Sequence, residues 1–320
     1  MTFFSRLALS SLLVSFQTLA WQLKYNWKGE DFFNAFGFDT FNDPTHGEVN
    51  YLDQGEAAAK QLAYAQGDTF FMRADANNTV SAGARGRDSV RISSTETFSD
   101  VILILDLVHM PDGCSTWPAF WTVGPDWPNG GEVDIIEGVN GVGSNLASLH
   151  TGQGCNMPSN GRQMSGTTSG TSCFTDYGSG NEGCSVTTGQ SGTFGSSFNG
   201  NGGGWWAYER SSTDGINVWF FPANGQVPDD VEGACDQVDP TTWGTPIASF
   251  PVSQCSFDSI LKPHQIVFDL TFCGDWAGGA WSSSGCAAKS NGLSCADYVD
   301  QTPDGFAQAY WEIDALRVYE

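Results

Sequence analysis

The sequence predicts an all-β chain, a sandwich or jelly roll of antiparallel sheets. Three observations carry that expectation. Short segments rich in Val, Ile, Phe, Trp and Tyr recur with Gly-rich turns between them. Asp214-Gly215 stands between two such segments, 204–211 and 216–221, and is a strong hairpin signal. Long helical periodicity is missing, and only 54–64 has the pattern of a short helix.

Taken in order, residues 1–20 read as a secretory signal peptide. Arg6 is the positive flank, 7–16 the apolar run, and Thr18-Leu19-Ala20 a small-residue cleavage site. The apolar run is too short to span a bilayer. The C-terminus carries no hydrophobic tail for a lipid anchor. Residues 21–320 are therefore expected as one secreted, extracellular, monomeric domain without a membrane partner.

Strands are expected at 69–74 and 89–93. The segment 100–110 is apolar on both faces, which places it deep in a sandwich. Further strands follow at 117–123, 132–139 and 145–151, then at 204–211, 216–221, 265–272 and 310–319. Residues 153–203 are mostly Gly, Ser, Thr and Asn, a composition that also suits a linker. Three cysteines inside it favour a disulfide-pinned surface loop at the rim of a cleft.

Charge excludes one class of partner. The chain has 13 Lys and Arg against 36 Asp and Glu, a net charge of −23. It repels phosphate polymers and shows no basic patch, so nucleic acid is not expected. An uncharged polysaccharide is not repelled. All nine cysteines follow the signal peptide, and none form Cys-x-x-Cys. They read as disulfides with one thiol left over. Spacing does not fix the pairing; Cys286 and Cys295 bracket a short polar loop and are one candidate pair.

The chemistry centres on Gly131-Glu132-Val133-Asp134-Ile135-Ile136-Glu137-Gly138. Alternate strand residues share a face, so Glu132 and Asp134 point the same way and Glu137 the other. A one-residue bulge at Ile135-Ile136 brings Glu137 back to their side. The backbones of Glu132 and Glu137 are then about 13 Å apart. Side chains leaning inward approach the roughly 5–5.5 Å separation of a retaining glycosidase pair. Crowded carboxylates cannot all ionise freely, and a raised pKa suits a general acid. Trp117, Trp121 and Trp127 lie just upstream. Indole rings stack on the apolar faces of sugars and carry one hydrogen-bond donor.

The run Trp127-Pro128-Asn129-Gly130-Gly131-Glu132-Val133-Asp134-Ile135-Ile136-Glu137-Gly138 resembles the signature of glycoside hydrolase family 16, in its bulged form. The likeness is greatest to fungal endo-β-1,3(4)-glucanases of the laminarinase type. It extends in order through Asp43-Pro44-Thr45-His46-Gly47, Leu149-His150-Thr151-Gly152 and Cys273-Gly274-Asp275-Trp276-Ala277-Gly278. The resemblance implies a β-jelly roll of two antiparallel sheets, with a β-glucan cleft on the concave one. It implies Glu132 as nucleophile, Glu137 as acid/base and Asp134 as their helper; spacing alone does not assign those roles.

Other positions follow from the same likeness. His150 is expected in the cleft beside Glu137, binding sugar. Asn50 and Arg91 match motifs on neighbouring strands, and Arg91 alternates with Val90 and Ile92, which aims it into the cleft. Trp121 and Trp127 are expected to contact substrate, and Trp276 to stack on a distal sugar. Asp314 matches a position that holds a structural calcium in some relatives. One carboxylate is a fraction of the six to eight oxygens calcium takes, so no metal or other cofactor is expected. Asn77-Asn78-Thr79 is a glycosylation sequon. A transglycosylase would use the same two glutamates, and a non-catalytic glucan-binding protein would lack one or both.

Overall fold

A computed structural model describes residues 21–176 and 182–320; the expected signal peptide, 1–20, lies outside the described residues. In chain order the strands are β1 (Trp21–Trp27), β2 (Phe36–Phe38), β3 (Val49–Tyr51), β4 (Ala63–Gln66), β5 (Thr69–Arg73), β6 (Arg87–Ser89), β7 (Arg91–Ser94), β8 (Val101–His109), β9 (Thr116–Val123) and β10 (Glu132–Glu137). They continue as β11 (Leu146–His150), β12 (Thr167–Thr168), β13 (Cys184–Thr187), β14 (Gly204–Ser211), β15 (Gly215–Pro222), β16 (Gln237–Val238), β17 (Ala248–Phe250), β18 (Gln265–Phe272) and β19 (Tyr310–Tyr319).

Two large antiparallel sheets make the expected jelly-roll sandwich. One runs β16-β1-β19-β8-β14-β15-β17, with β5 pairing β19 and β4 pairing β5. The other runs β12-β13-β11-β10-β9-β18-β7-β2. A small parallel pair, β3 with β6, stands apart. The core lies between the sheets. Leu103, Leu105, Trp206 and Val218 from the first sheet meet Ile92, Phe120, Val133, Ile136 and Phe268 from the second, all buried. Strand alternation sends the opposite face of the second sheet away from this core.

The double-faced hydrophobicity of 100–110 has a specific cause. β8 is central, between β19 and β14. Leu103 and Leu105 face the core, while Ile102 and Ile104 lie under Val231, Val238 and Trp243. The helix expected over 54–64 stops at Ala59. Gln61 has a left-handed φ of 56°, and Ala63–Gln66 instead forms a hairpin with Thr69–Arg73.

The segment 153–203 is more ordered than a surface loop. Thr167–Thr168 and Cys184–Thr187 extend the second sheet beyond β11, and Gly195–Gly200 is helical. Two disulfides anchor it, Cys155–Cys255 and Cys173–Cys184. The candidate pair Cys286–Cys295 does not form. Cys286 pairs with Cys114 and Cys295 with Cys273, which brace the loop after β18 from both sides. Proximity in sequence misled here because both cysteines are buried against the sheet end rather than facing each other across their loop. Cys235 is the remaining thiol.

Candidate active site

The carboxylates stand on β10, between β9 and β11. Glu132 lies opposite Val123, Val133 opposite Thr122 and Asp134 opposite Trp121; the next pair is Ile136 with Phe120, then Glu137 with Ala119. Ile135 is the extra residue, so the bulge falls where strand alternation required it. Val133, Ile135 and Ile136 are all fully buried in the core. The carboxylates of Glu132, Asp134 and Glu137 gather on the opposite face. Gly131 enters the strand at φ 84°, and a Cβ there would sit 2.2 Å from Leu261 Cδ2. That left-handed φ favours glycine there.

Neighbouring strands complete the group. His150 on β11 is the register partner of Glu132. Its Nε2 lies 3.1 Å from Asp134 Oδ2 and 3.9 Å from Glu132 Oε1. The ring is close to Asp134 but not aligned with it, and Asp134 Oδ2 makes no hydrogen bond. His150 Nδ1 is 3.2 Å from Thr175 Oγ1, in the disulfide-anchored segment. His150 thus sits against Glu132 and Asp134, and it also acts electrostatically on Glu137. Trp117 Nε1 donates to Glu137 Oε1 at 2.8 Å.

Burial dominates the electrostatics. It pushes Glu132 up to about 8, helped by the Asp134 and Glu137 charges and opposed by His150 and Arg91. Asp134 is raised by burial and then by Asp269. Glu137 is raised by burial and by Asp134, while the Trp117 hydrogen bond pulls it down. The three acids therefore share fewer than three negative charges at neutral pH.

A fourth carboxylate underlies the group and escaped the sequence reading. Asp269 on β18 accepts from Trp121 Nε1 at 2.8 Å and from Tyr51 Oη at 3.2 Å. Burial raises it to about 6, against the pull of Arg91. Its signal was present: Asp269 is the only charged residue of strand 265–272. Trp117 lies just upstream in sequence, but its bond to Glu137 depends on strand register.

The remaining expected residues divide. Arg91 does face this side; its guanidinium carbon is 4.9 Å from the Trp121 ring centroid, and its Nε is 3.4 Å from Asp39 Oδ2. Trp121 lies opposite Asp134, but its N–H is committed to Asp269 and Arg91 covers the ring. Its donor is thereby committed within the protein. Trp127 is half-buried in the β9–β10 connection, at the Glu132 end. Trp276 packs edge-on against Trp117, with centroids 5.6 Å apart, at the Glu137 end. Asn50 is not brought into the group. Its amide donates to Asp88 at 2.7 Å, while alternation turns its neighbour Tyr51 toward Asp269.

For metals, Glu132, Asp134 and His150 hold ligand atoms within 4.8 Å of one another, the only such cluster of three among the described residues. Asp314, which matches a calcium position in some relatives, is outside it and accepts from Thr69 Oγ1 at 2.6 Å.

Comparison with known proteins matches this arrangement. A model of the XgeA-like catalytic GH16 domain matches residues 36–319. A probable endo-1,3(4)-β-glucanase of Aspergillus niger is 42% identical over 319 residues; the match covers 98% of this chain and 42% of that protein, so the chain spans under half its length. The GH16 laminarinase 16A of Phanerochaete chrysosporium, solved with 6-O-glucosyl-laminaritriose in donor and acceptor sites, is 46% identical with a TM-score of 0.90. That match covers 94% of this chain and all of the solved one. An elongating GH16 β-1,3-glucosyltransferase structure is 39% identical with a TM-score of 0.85, again over 94% of this chain and all of that one. With a catalytic-domain model matched along nearly the whole described chain, through the bulged strand itself, this chain belongs to glycoside hydrolase family 16.

Proposed function

We propose that this chain is a secreted endo-β-glucanase that hydrolyses β-1,3 bonds, and mixed β-1,3-1,4 glucans, with retention of configuration. The observation that carries the reading is the bulge at Ile135, which sets two glutamates on one face of one strand. In the first step the Glu132 carboxylate attacks the anomeric carbon. The glycosidic C–O bond breaks, and Glu137 gives its proton to the departing oxygen. In the second step Glu137 takes a proton from water, the water oxygen bonds to the anomeric carbon, and Glu132 leaves. Asp134 tunes when Glu132 ionises. Trp127 at one end and Trp276 at the other offer aromatic surfaces for sugar rings.

The linkage is tested on laminarin, lichenan and cellulose. Laminarin is expected to be cut internally, and cellulose to be left intact. Early-time NMR is expected to show the new reducing end as the β anomer before mutarotation. An α product would remove both the role of the bulge and Glu132 as nucleophile. The similarity to an elongating glucosyltransferase favours one second reading, transfer of the glycosyl group to another glucan. Longer products at high acceptor concentration would establish it.

A further inference from the structure

β11 pairs with β10 only at Glu132–His150, Val133–Leu149 and Asp134–Ser148. Past Asp134 the bulge intervenes, and β11 begins one residue after Asn145. The backbone of Ile135 and Glu137 therefore needs partners from somewhere other than β11. Asn145 supplies them with its side chain. Its Nδ2 donates to the Ile135 carbonyl at 2.8 Å, and its Oδ1 accepts the Glu137 N–H at 2.9 Å. One amide reproduces the donor and acceptor of a missing strand neighbour, at the bulged residue and at the acid.

The amide is itself fixed. Asn145 is fully buried. Its backbone N–H donates to Thr193 Oγ1 at 3.1 Å, and Thr193 donates in turn to the Gln190 carbonyl at 2.9 Å. Glu137 is thus held at two points, its backbone by Asn145 and its carboxylate by Trp117.

We propose that Asn145 is a positioning residue for Glu137, setting the reach of the acid rather than touching substrate. The inference rests on reading Glu137 as the acid/base. A displaced acid harms most the step that needs its proton, so the loss is expected to depend on the leaving group. A residue that serves only folding would lower all activities together.

The test compares Asn145→Ala with wild type on laminari-oligosaccharides and on a dinitrophenyl β-laminarioligosaccharide, whose leaving group departs without a proton. The kcat/KM on the oligosaccharide is expected to fall by about a hundredfold. On the dinitrophenyl substrate it is expected to fall by about threefold or less. Azide attacks the anomeric carbon of the glycosyl-enzyme without a base and displaces Glu132. It is therefore expected to accelerate turnover of the variant and give a β-glycosyl azide. Equal losses on both substrates with no azide effect would overturn the proposal. Asn145→Leu keeps the volume and removes both bonds to β10; it gives the same comparison if the alanine variant does not fold. Glu137→Ala is the control. If that enzyme shows neither leaving-group dependence nor azide acceleration, the acid/base reading fails first and positioning of the acid falls with it. If Glu137→Ala behaves as an acid/base variant and Asn145→Ala does not, only the present proposal is lost.

Discussion

The Trp117 indole donates a 2.8 Å hydrogen bond to Glu137 Oε1, from a position two residues along β9 from the register partner of Glu137. An N–H donor favours the charged carboxylate and occupies the oxygen it reaches. The proton of Glu137 therefore belongs on Oε2. The indole also limits how far burial raises this acid.

Trp117→Phe removes the donor and keeps most of the ring. Glu137 then loses a stabiliser of its charged form, so its pKa rises. The basic limb of the pH–kcat/KM profile is expected to move to higher pH, with activity at the optimum about tenfold lower. A basic limb at its original pH would show that the bond does not tune the acid.

Asp134→Asn works in the opposite direction. The Asp134 charge raises both Glu132 and Glu137. Without it both values fall, and the whole bell is expected to shift to lower pH with at least about a tenfold drop in kcat. A full pH–rate profile from about pH 3 to 9 checks this. An unmoved profile with unchanged rate would make Asp134 a bystander.

The same substitution is expected to stabilise the protein. Burial raises the folded-state value of Asp134 to about 8. Its protonated form therefore contributes stability that is complete below the ordinary carboxylate range and is lost as pH climbs through the folded value. Asn cannot ionise, so the Tm of Asp134→Asn is expected to exceed wild type at pH 7–8, by about 2–4 °C for each kcal/mol recovered. The gap is expected to close near pH 4. Calorimetry at both pH values reads it, and a lower Tm for the variant at pH 8 would contradict the buried-charge argument.

Glu132→Gln and Glu137→Gln each retain volume on a face that is already polar. Both are expected to fold as wild type by circular dichroism and to lose about a thousandfold or more in turnover on laminarin. Normal activity in either purified variant would remove that residue from the mechanism.

Azide separates the two roles by stereochemistry. Glu137→Ala retains the nucleophile, so azide is expected to give a β-glycosyl azide from an activated substrate. In Glu132→Ala azide enters from the vacated side, and the product is expected to be α. NMR of the two products decides the assignment, and exchanged outcomes would exchange the labels of the two glutamates.

The sequence by itself determined the sandwich and the acidic strand at its centre. Alternation is a local property, so Glu132 and Asp134 were placed on one face without a tertiary contact, whereas Glu137 joins them only through the bulge against β9. The strands 204–211, 265–272 and 310–319 were likewise set by their own apolar pattern. The tertiary structure decided what each side chain bonds. Trp117 and Trp121 sit at equivalent phases of β9, yet register gives one to Glu137 and the other to Asp269, 148 residues away in the chain. Asn50 and Tyr51 were separated by the pairing of β3 with β6, which sends one to Asp88 and the other toward the site. Cys286 met Cys114 across 172 residues and left Cys295 to Cys273. A hydrogen bond or a disulfide forms between whichever groups packing brings within a few ångströms, and that proximity is a property of strand order, which no short window of sequence contains.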